Sequence, residues 1–160
     1  MDVMKEKFRQ AMRNLVFPVS IASSAINSNK YAITVSSVTS LSLDPPSLLV
    51  CINKESSFSG CISAGNLLNI NFLSYNQMHL AELCSSRERS ADRFNRDEWS
   101  VDSNGLPYLE DSESVAFCSV VKRLSYETHL VGLLQVNELQ LKSELQDNPL
   151  LYGRGRYIKL

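Results

Sequence analysis

Residues 34–46 read Thr34-Val-Ser-Ser-Val-Thr-Ser-Leu-Ser-Leu-Asp-Pro-Pro46, with a hydroxyl side chain at six of thirteen positions and two prolines at the end. Threonine favours strands, and each hydroxyl offers one donor and two acceptor lone pairs. A buried hydroxyl without a partner costs roughly 1–3 kcal/mol. A half-buried strand over Thr34–Ser40 therefore needs a bound ligand or the backbone as partner, unless its polar side faces solvent. Proline donates no hydrogen bond, so Asp44-Pro45-Pro46 predicts a rigid bend.

Strands dominate on both sides of this stretch. Alternating apolar residues predict a hairpin with Val19 and Ile21 in one strand, a turn at Asn27–Lys30, and Tyr31, Ile33 and Val35 in the other. Further strands are predicted at Leu48–Ile52, Leu67–Leu73, Val115–Val121 and His129–Val136, the last extended by Leu139 and Leu141. A turn at Ser125–Thr128 separates the last two.

Helices are few. Apolar residues from Met4 to Leu15 recur at helical spacing and predict an amphipathic helix that ends before Pro18. Ser74-x-x-Gln77 is a capping-box pattern, which favours a short helix over residues 78–84. The charged segment Arg87–Arg96 is interpreted as a surface helix or loop, and Asp147–Pro149 as a turn.

This arrangement favours one mainly β domain over residues 1–160. Many short strands without alternating helices are typical of a closed antiparallel barrel rather than a doubly wound parallel sheet. No Gly-x-Gly-x-x-Gly follows a predicted strand, so the usual dinucleotide fingerprint is absent.

Composition excludes several classes of partner. The 16 basic and 17 acidic residues leave a formal charge of −1, which gives no reason to expect a nucleic-acid or membrane partner. The four cysteines include no Cys-x-x-Cys pair for a metal. Three lie among apolar neighbours, so we expect buried reduced thiols in a cytoplasmic protein. No signal peptide or span of roughly 20 apolar residues is evident.

A second polar cluster, Asn53-Lys-Glu-Ser-Ser57, follows the strand at Leu48–Ile52 and precedes a possible short helix near Phe58. A serine at this position normally caps the helix. Free backbone amides at a helix start also attract phosphate. Both interpretations stay open.

The order of several short motifs points to a family. They are Phe8-Arg-x-Ala-Met12, Thr34–Ser37 leading into Ser40–Pro46, Leu49–Asn53 with Ser56-Ser57, Asn69-Ile-Asn71, Gln77-x-x-Leu-Ala81, Arg93-Phe94, Thr128-His129, and Pro149-Leu-Leu-Tyr with Gly155-Arg-Tyr157. From about Phe8 to Leu160 this series resembles the short-chain flavin reductase family, which includes the reductase components of two-component flavin monooxygenases.

The resemblance implies an FMN-binding split β-barrel, a closed antiparallel Greek-key barrel with a few flanking helices. It also implies a homodimer that uses NADH or NADPH to reduce FMN or FAD, with a flavin-dependent monooxygenase as a possible partner. Hydride transfer between these cofactors needs no general acid, which agrees with the lack of a Ser-His-Asp set. No metal is expected.

The resemblance also implies which residues form the site. The flavin would be contacted by Thr34, Val35, Ser36, Ser37, Ser40, Leu41, Cys51, Ile52, Asn53, Ser56, Ser57 and Phe94. Arg93 is a candidate for the flavin phosphate and Tyr152 for the mouth of the site. His129 would lie where the nicotinamide stacks. Here Glu127 precedes Thr128-His129, where relatives usually have glycine.

Three functions follow as hypotheses. The leading one is an NAD(P)H:flavin oxidoreductase that supplies reduced flavin to a monooxygenase. An alternative is a flavin-binding carrier or redox-sensing module without turnover, which Glu127 favours. The third is an interaction protein that keeps the barrel and binds no flavin.

Overall fold

The chain begins with an exposed helix. A computed structural model describes residues 3–142 and 148–160. Helix α1 covers Val3–Arg13 and buries none of its residues. The predicted helix is therefore confirmed, but its apolar residues Phe8 and Met12 are exposed on the single chain. Strand β1, Val16–Pro18, follows directly.

The predicted first hairpin is confirmed. Strand β2 covers Ser20–Ile26 and strand β3 covers Asn29–Val35, paired antiparallel. Asn27 and Ser28 take positive φ angles of 49° and 67°. Two such residues in succession give a tight two-residue turn whose twist matches that of the flanking strands.

The hydroxyl-rich stretch forms two elements rather than one strand. β3 ends at Val35, the chain bends at Ser36-Ser37, and strand β4 covers Val38–Leu43. The bend at Asp44-Pro45, joined by a cis peptide bond, leads into strand β5, Pro46–Asn53. β4 pairs only with β5 and lies at a sheet edge, so most of its hydroxyl side chains face solvent.

The middle of the chain holds the second helix. A single 3₁₀ turn, Ser57–Cys61, precedes strand β6, Leu67–Phe72. Ser74 and Gln77 form the predicted capping box before helix α2, Met78–Ser85. The Arg87–Arg96 segment contains another 3₁₀ turn, Ser90–Asp92, but it does not lie wholly at the surface because Arg93 is buried.

The remaining strands complete the fold. Strands β7, Trp99–Val101, and β8, Pro107–Leu109, pair with each other and were not predicted. β9, Ser114–Tyr126, and β10, His129–Leu141, form the predicted long hairpin. β11, Leu151–Gly153, and β12, Arg156–Ile158, close the chain, and β11 also pairs with β1. Part of the predicted turn at Asp147–Pro149 lies outside the described residues.

The protein is mainly β, and the main sheet has seven antiparallel strands in the order β3-β2-β6-β9-β10-β5-β4. Within residues 3–142 and 148–160, no ladder joins the edge strands β3 and β4, so the closed barrel stays a prediction. Val35 of β3 and Ile52 of β5 nevertheless lie in the same hydrophobic core. The sheet is therefore curled enough to bring its two sides together.

A second hydrophobic cluster packs α2 against the sheet. Leu80, Ala81 and Cys84 of α2 meet Ile21 and Ala32 of the first hairpin. Cys61, Cys84 and Cys118 are buried and unpaired as predicted, whereas Cys51 is exposed on β5. No described helix is long and apolar enough to cross a membrane.

Candidate functional site

A cleft of about 640 Å³ opens between the end of β3, helix α2 and the C-terminal hairpin. Its lining residues are Val19, Thr34, Ser36, Met78, Glu82, Ser85, Tyr152, Gly155, Arg156 and Tyr157. Ligand sites for small molecules typically measure about 300–1,000 Å³ and combine apolar walls with a few polar groups. We call this space the main cleft.

A second cleft, of about 330 Å³, shares Ser85 with the main cleft. It is lined by Ile33, Asn53, Glu55, Ser56, Ser57, Cys84, Ser85, Arg87, Ser90 and Arg93. Its polar side chains carry hydroxyl, amide and guanidinium groups and one carboxylate, that of Glu55, so we call it the polar cleft. Ile33 and Thr34 are neighbours on β3, so the two clefts follow the same strand.

Arg93 is a buried cation in the polar cleft. Only 7% of its surface is exposed. Its Nη1 donates to the Ala32 carbonyl (2.5 Å) and its Nη2 to the Ser86 carbonyl (2.7 Å). Its Nε is buried without a partner, and no carboxylate of the described chain forms an ion pair with it. A buried charge normally has a counter-ion, so this end of the site suits an anion.

The Asn53–Ser57 segment is held by local hydrogen bonds. Asn53 Oδ1 accepts from the Glu55 amide (2.9 Å), and Ser56 Oγ accepts from the Phe58 amide (3.1 Å). A serine of this segment, Ser56, therefore caps the following turn, as predicted for the cluster. Because these bonds fix the turn, the Ser57 side chain lies at the wall of the polar cleft.

Several hydroxyls of the Thr34–Leu41 stretch have protein partners. Thr34 Oγ1 donates to the Ala81 carbonyl (2.6 Å) and ties β3 to α2. Ser37 Oγ donates to the Cys51 carbonyl (2.9 Å) and also accepts from the Cys51 amide. The side chain of Ser36 forms no hydrogen bond with another described residue and lines the main cleft. Of these three hydroxyls, that of Ser36 is the most available to a ligand.

Two tyrosines form an aromatic wall of the main cleft. Tyr152 and Tyr157 meet edge to face, with ring centroids 5.3 Å apart. Burial raises the pKa of Tyr157, and the nearby Glu82 carboxylate raises it further, opposed by a hydrogen bond from Ser85. The Tyr157 phenol is therefore neutral at physiological pH and can pack against an uncharged ring.

His129 lies at the surface beside the polar cleft rather than in its lining. It is the first residue of β10 and pairs with Asn53, the last residue of β5. Its Nδ1 is 2.8 Å from Thr128 Oγ1. The other histidine, His79, contacts the Asn76 carbonyl and the Glu98 carboxylate on the surface, outside the linings of both clefts.

Comparison with known proteins identifies this arrangement. The model of the flavin reductase like domain matches residues 12–160. The chain belongs to this family. Because the match covers both clefts and all the strands described above, the flavin reductase-like domain includes the whole candidate site.

Relatives of this flavin reductase-like domain span most of its length. The reductase component of the FADH(2)-dependent resorcinol hydroxylase of Rhizobium sp. is 29% identical over 95% of the chain and 85% of its own length. The FMN reductase (NADH) RutF of Acinetobacter baylyi is 33% identical over 88% and 74%. The crystal structure of nitrilotriacetate monooxygenase component B from Mycobacterium thermoresistibile is 28% identical, with a TM-score of 0.90 over 99% and 87%.

The flavin reductase-like fold brings many of the predicted site residues to the clefts. Thr34, Ser36 and Tyr152 line the main cleft, and Asn53, Ser56, Ser57 and Arg93 line the polar cleft. The side chains of Val35 and Ile52 point into the core, so only their backbones are available.

Other predicted residues lie outside the two linings. Ser40, Leu41 and Cys51 are exposed on β4 and β5. Phe94 packs on Trp99, with centroids 4.9 Å apart, in the second hydrophobic cluster. The proposed flavin contacts of these residues stay predictions.

Sequence reasoning missed one wall of the main cleft in this flavin reductase-like domain. Met78, Glu82 and Ser85 of α2 all line it. They stand at positions i, i+4 and i+7, which lie on one face of a helix. That spacing was the available signal, and it is easily overlooked because the face mixes apolar, acidic and hydroxyl side chains.

Proposed function

We propose that this chain is an NAD(P)H-dependent flavin reductase that supplies reduced FMN or FAD to a partner monooxygenase. The observation that carries the proposal is the pair of neighbouring clefts that share Ser85, one with an aromatic wall and one with a buried guanidinium that lacks a counter-ion. FMN and FAD each have an aromatic ring and a phosphate. The ring suits the cleft with the two tyrosines, and the phosphate suits the cleft with Arg93. The reductase names of the relatives support the same chemistry.

The polar cleft would hold the flavin phosphate. Arg93 supplies positive charge there, and the exposed Arg87, which lies 3.8 Å from the Glu55 carboxylate at the same wall, supplies a second cation. Ser57 and the Asn53 side chain supply polar groups at fixed positions. Charge-assisted bonds from such groups are roughly twice as strong as neutral ones, so this end would contribute much of the affinity.

The main cleft would hold the isoalloxazine ring. Tyr152 and Tyr157 offer aromatic faces, and Ser36 offers a hydroxyl at the edge. Thr34 supports this wall indirectly, because its bond to Ala81 fixes β3 against α2. When bound, the flavin accepts the hydride that the nicotinamide donates. The protein needs only to orient the rings and exclude water between them.

The nicotinamide would stack on the isoalloxazine ring, and His129, which the fold leaves accessible, would contact it from the side of the polar cleft. The Thr128 hydroxyl orients the imidazole through Nδ1. No acid or base is required of the histidine, so its role would be to support the stacked ring. We propose NADH or NADPH as the hydride donor.

We also propose that the single domain forms a split barrel and a homodimer. The shared core of β3 and β5 supports a sheet that nearly closes. Exposed Val3 and Phe8 of α1 leave apolar surface that a second copy would cover. The four unpaired cysteines support a cytoplasmic location.

An anaerobic spectroscopic assay tests the reductase function. Purified protein with NADH or NADPH should bleach added FMN or FAD near 450 nm over many turnovers. No turnover with either nucleotide would overturn the proposal. Flavin that stays bound through purification without NAD(P)H oxidation would indicate the carrier or sensor instead, and failure to bind flavin would indicate an interaction protein.

A binding experiment tests the phosphate end separately. FMN should bind more tightly than riboflavin, which lacks the phosphate. Arg87→Gln should reduce this preference about threefold to tenfold, as expected for a partly exposed charged contact. Arg89→Gln, which removes an arginine outside both linings, should not change it. Equal affinity for FMN and riboflavin in the unmodified protein would contradict this assignment.

A further inference from the structure

A third recess extends the main cleft toward helix α1. It measures about 380 Å³ and shares Ser36, Tyr152 and Gly155 with the main cleft. Its outer wall carries three arginines, Arg9 and Arg13 of α1 and Arg154 of the β11–β12 turn. We call it the arginine recess. A ligand in the main cleft can therefore reach these cations without crossing the protein.

The arginine recess is positively charged. No acidic residue is found in its lining, as far as the described chain shows. Arg9 is paired with Glu6 at 2.6 Å, whereas Arg13 and Arg154 form no ion pair with a described residue. Like charges gathered in one recess repel each other, and an anion between them removes that repulsion.

Arg154 occupies a backbone position that arginine rarely takes. Gly153 and Arg156 pair across β11 and β12, so the turn consists of Arg154 and Gly155. Both have positive φ, 52° and 78°. Such a turn strongly prefers asparagine, aspartate or glycine at its first position. A long cationic side chain that breaks this preference at the mouth of a cleft indicates a functional reason.

The backbones of the two unpaired arginines are held next to each other. The Arg154 amide donates to the Arg13 carbonyl (3.0 Å). Gly153 presses against β1, where an added Cβ would lie 2.9 Å from Val16 Cγ2 and 3.1 Å from the Leu15 carbonyl. The turn therefore packs firmly against the end of α1, and both guanidinium groups extend from one rigid base.

We propose, on the basis of the reductase function proposed above, that the arginine recess binds a phosphate of the adenylate half of the nicotinamide dinucleotide. The planar guanidinium fork fits phosphate oxygens in pairs. The phosphate is either the pyrophosphate, which NADH and NADPH share, or the 2′-phosphate, which only NADPH carries. Arg13 and Arg154 act as binding residues and take no part in hydride transfer.

Calorimetric titration with two adenosine phosphates tests this subsite. ADP carries the pyrophosphate and 2′,5′-ADP carries the 2′-phosphate, and neither can be reduced or oxidised in the assay. Arg154→Asn should weaken binding of at least one probe about tenfold, the loss expected for a charge-assisted contact. The probe that loses more affinity identifies the phosphate. The denaturation midpoint should stay the same or rise, because asparagine suits the turn.

Two comparison variants make the result decisive. Arg154→Lys keeps the charge and should recover part of the affinity, whereas Arg89→Asn removes a surface arginine outside the recess and should change nothing. Unchanged affinity for both probes in Arg154→Asn, or an equal loss in Arg89→Asn, would overturn the proposal. FMN titration and flavin reduction by NADH are measured in parallel, so failure of the subsite and failure of the reductase function give different results.

Discussion

Asn53 and His129 lie directly opposite each other, as the last residue of β5 and the first residue of β10. The Lys54 amide donates to the Thr128 carbonyl (3.0 Å), and the Lys54 ammonium contacts the Glu127 carbonyl. The polar segment after β5 and the turn before β10 are thus joined by several hydrogen bonds. The position of the His129 ring relative to the polar cleft is therefore set by this junction.

His129→Ala tests the stacking role. We expect the KM for NADH or NADPH to rise about threefold to tenfold, since an aromatic contact contributes roughly 0.5–1.5 kcal/mol beyond its area. The Kd for FMN should change less than twofold. His79→Ala, which removes the only other histidine, is the control in steady-state kinetics. An unchanged KM in His129→Ala would contradict the role.

Glu127→Gly should stabilise the protein. Glu127 has a φ of 42°, a left-handed conformation that costs a residue with a Cβ roughly 1–2 kcal/mol. Glycine loses about 0.5–1 kcal/mol more entropy on folding, which leaves a net gain of up to about 1.5 kcal/mol. Urea denaturation measures it. Asp111→Gly, at an exposed turn without positive φ, should instead destabilise, and a loss in both variants would contradict the expectation.

Gly153→Ala should destabilise the C-terminal hairpin. The added methyl group would lie within 3.2 Å of Val16 Cγ2, the Leu15 carbonyl and Ile158 Cδ1. Overpacking of this kind costs about 1–3 kcal/mol. Gly60→Ala is the matched control, because no atom lies within 4 Å of its added Cβ. Equal unfolding free energies for the two variants would show that the hairpin accommodates the added methyl group without losing stability.

Thiol labelling should distinguish Cys51 from the other cysteines. Burial raises the pKa of Cys61 to about 11 and the pKa values of Cys84 and Cys118 to about 12. Only the exposed Cys51 should react with a disulfide reagent at pH 8, since the thiolate is the nucleophile. Unfolded protein should show all four thiols. Rapid labelling of folded Cys51→Ser would contradict the burial of the rest.

The same burial predicts a loss of stability in alkali. The folded pKa values of the three buried thiols exceed the ordinary value of 9.0. The contribution of these thiols to the free energy of unfolding is complete below pH 9. It is lost as the pH rises toward 11 to 12, because the thiols of the unfolded chain release their protons first. Denaturation of the unmodified protein and Cys118→Ala between pH 8 and 11 measures this. The variant should show the shallower decline.

The elements that the sequence predicted well are those with strong periodicity. The β2–β3 and β9–β10 hairpins and α2 lie close to their predicted positions because alternation or capping marks them locally. Strand β4 was missed because an exposed edge strand needs no apolar alternation. The short pair β7 and β8 has only three residues in each strand and gives no periodic signal.

The candidate site was predicted unevenly for a similar reason. Polar residues that follow a strand, such as Asn53 and Ser57, could be located from the sequence. The burial of Arg93 could not, because its partners Ala32 and Ser86 accept through carbonyl groups that every residue possesses. Likewise, the bond from Thr34 to Ala81 connects positions 47 residues apart, which no local pattern records.

The two carbonyl bonds of Arg93 also bear on how the polar cleft exchanges its contents. One joins β3 and the other joins the residue after α2, so this side chain spans both walls. Spreading the walls would break both bonds and leave a buried cation with even fewer partners. FMN or FAD would therefore enter and leave through the existing opening by diffusion. No hinge motion of the surrounding backbone would be needed.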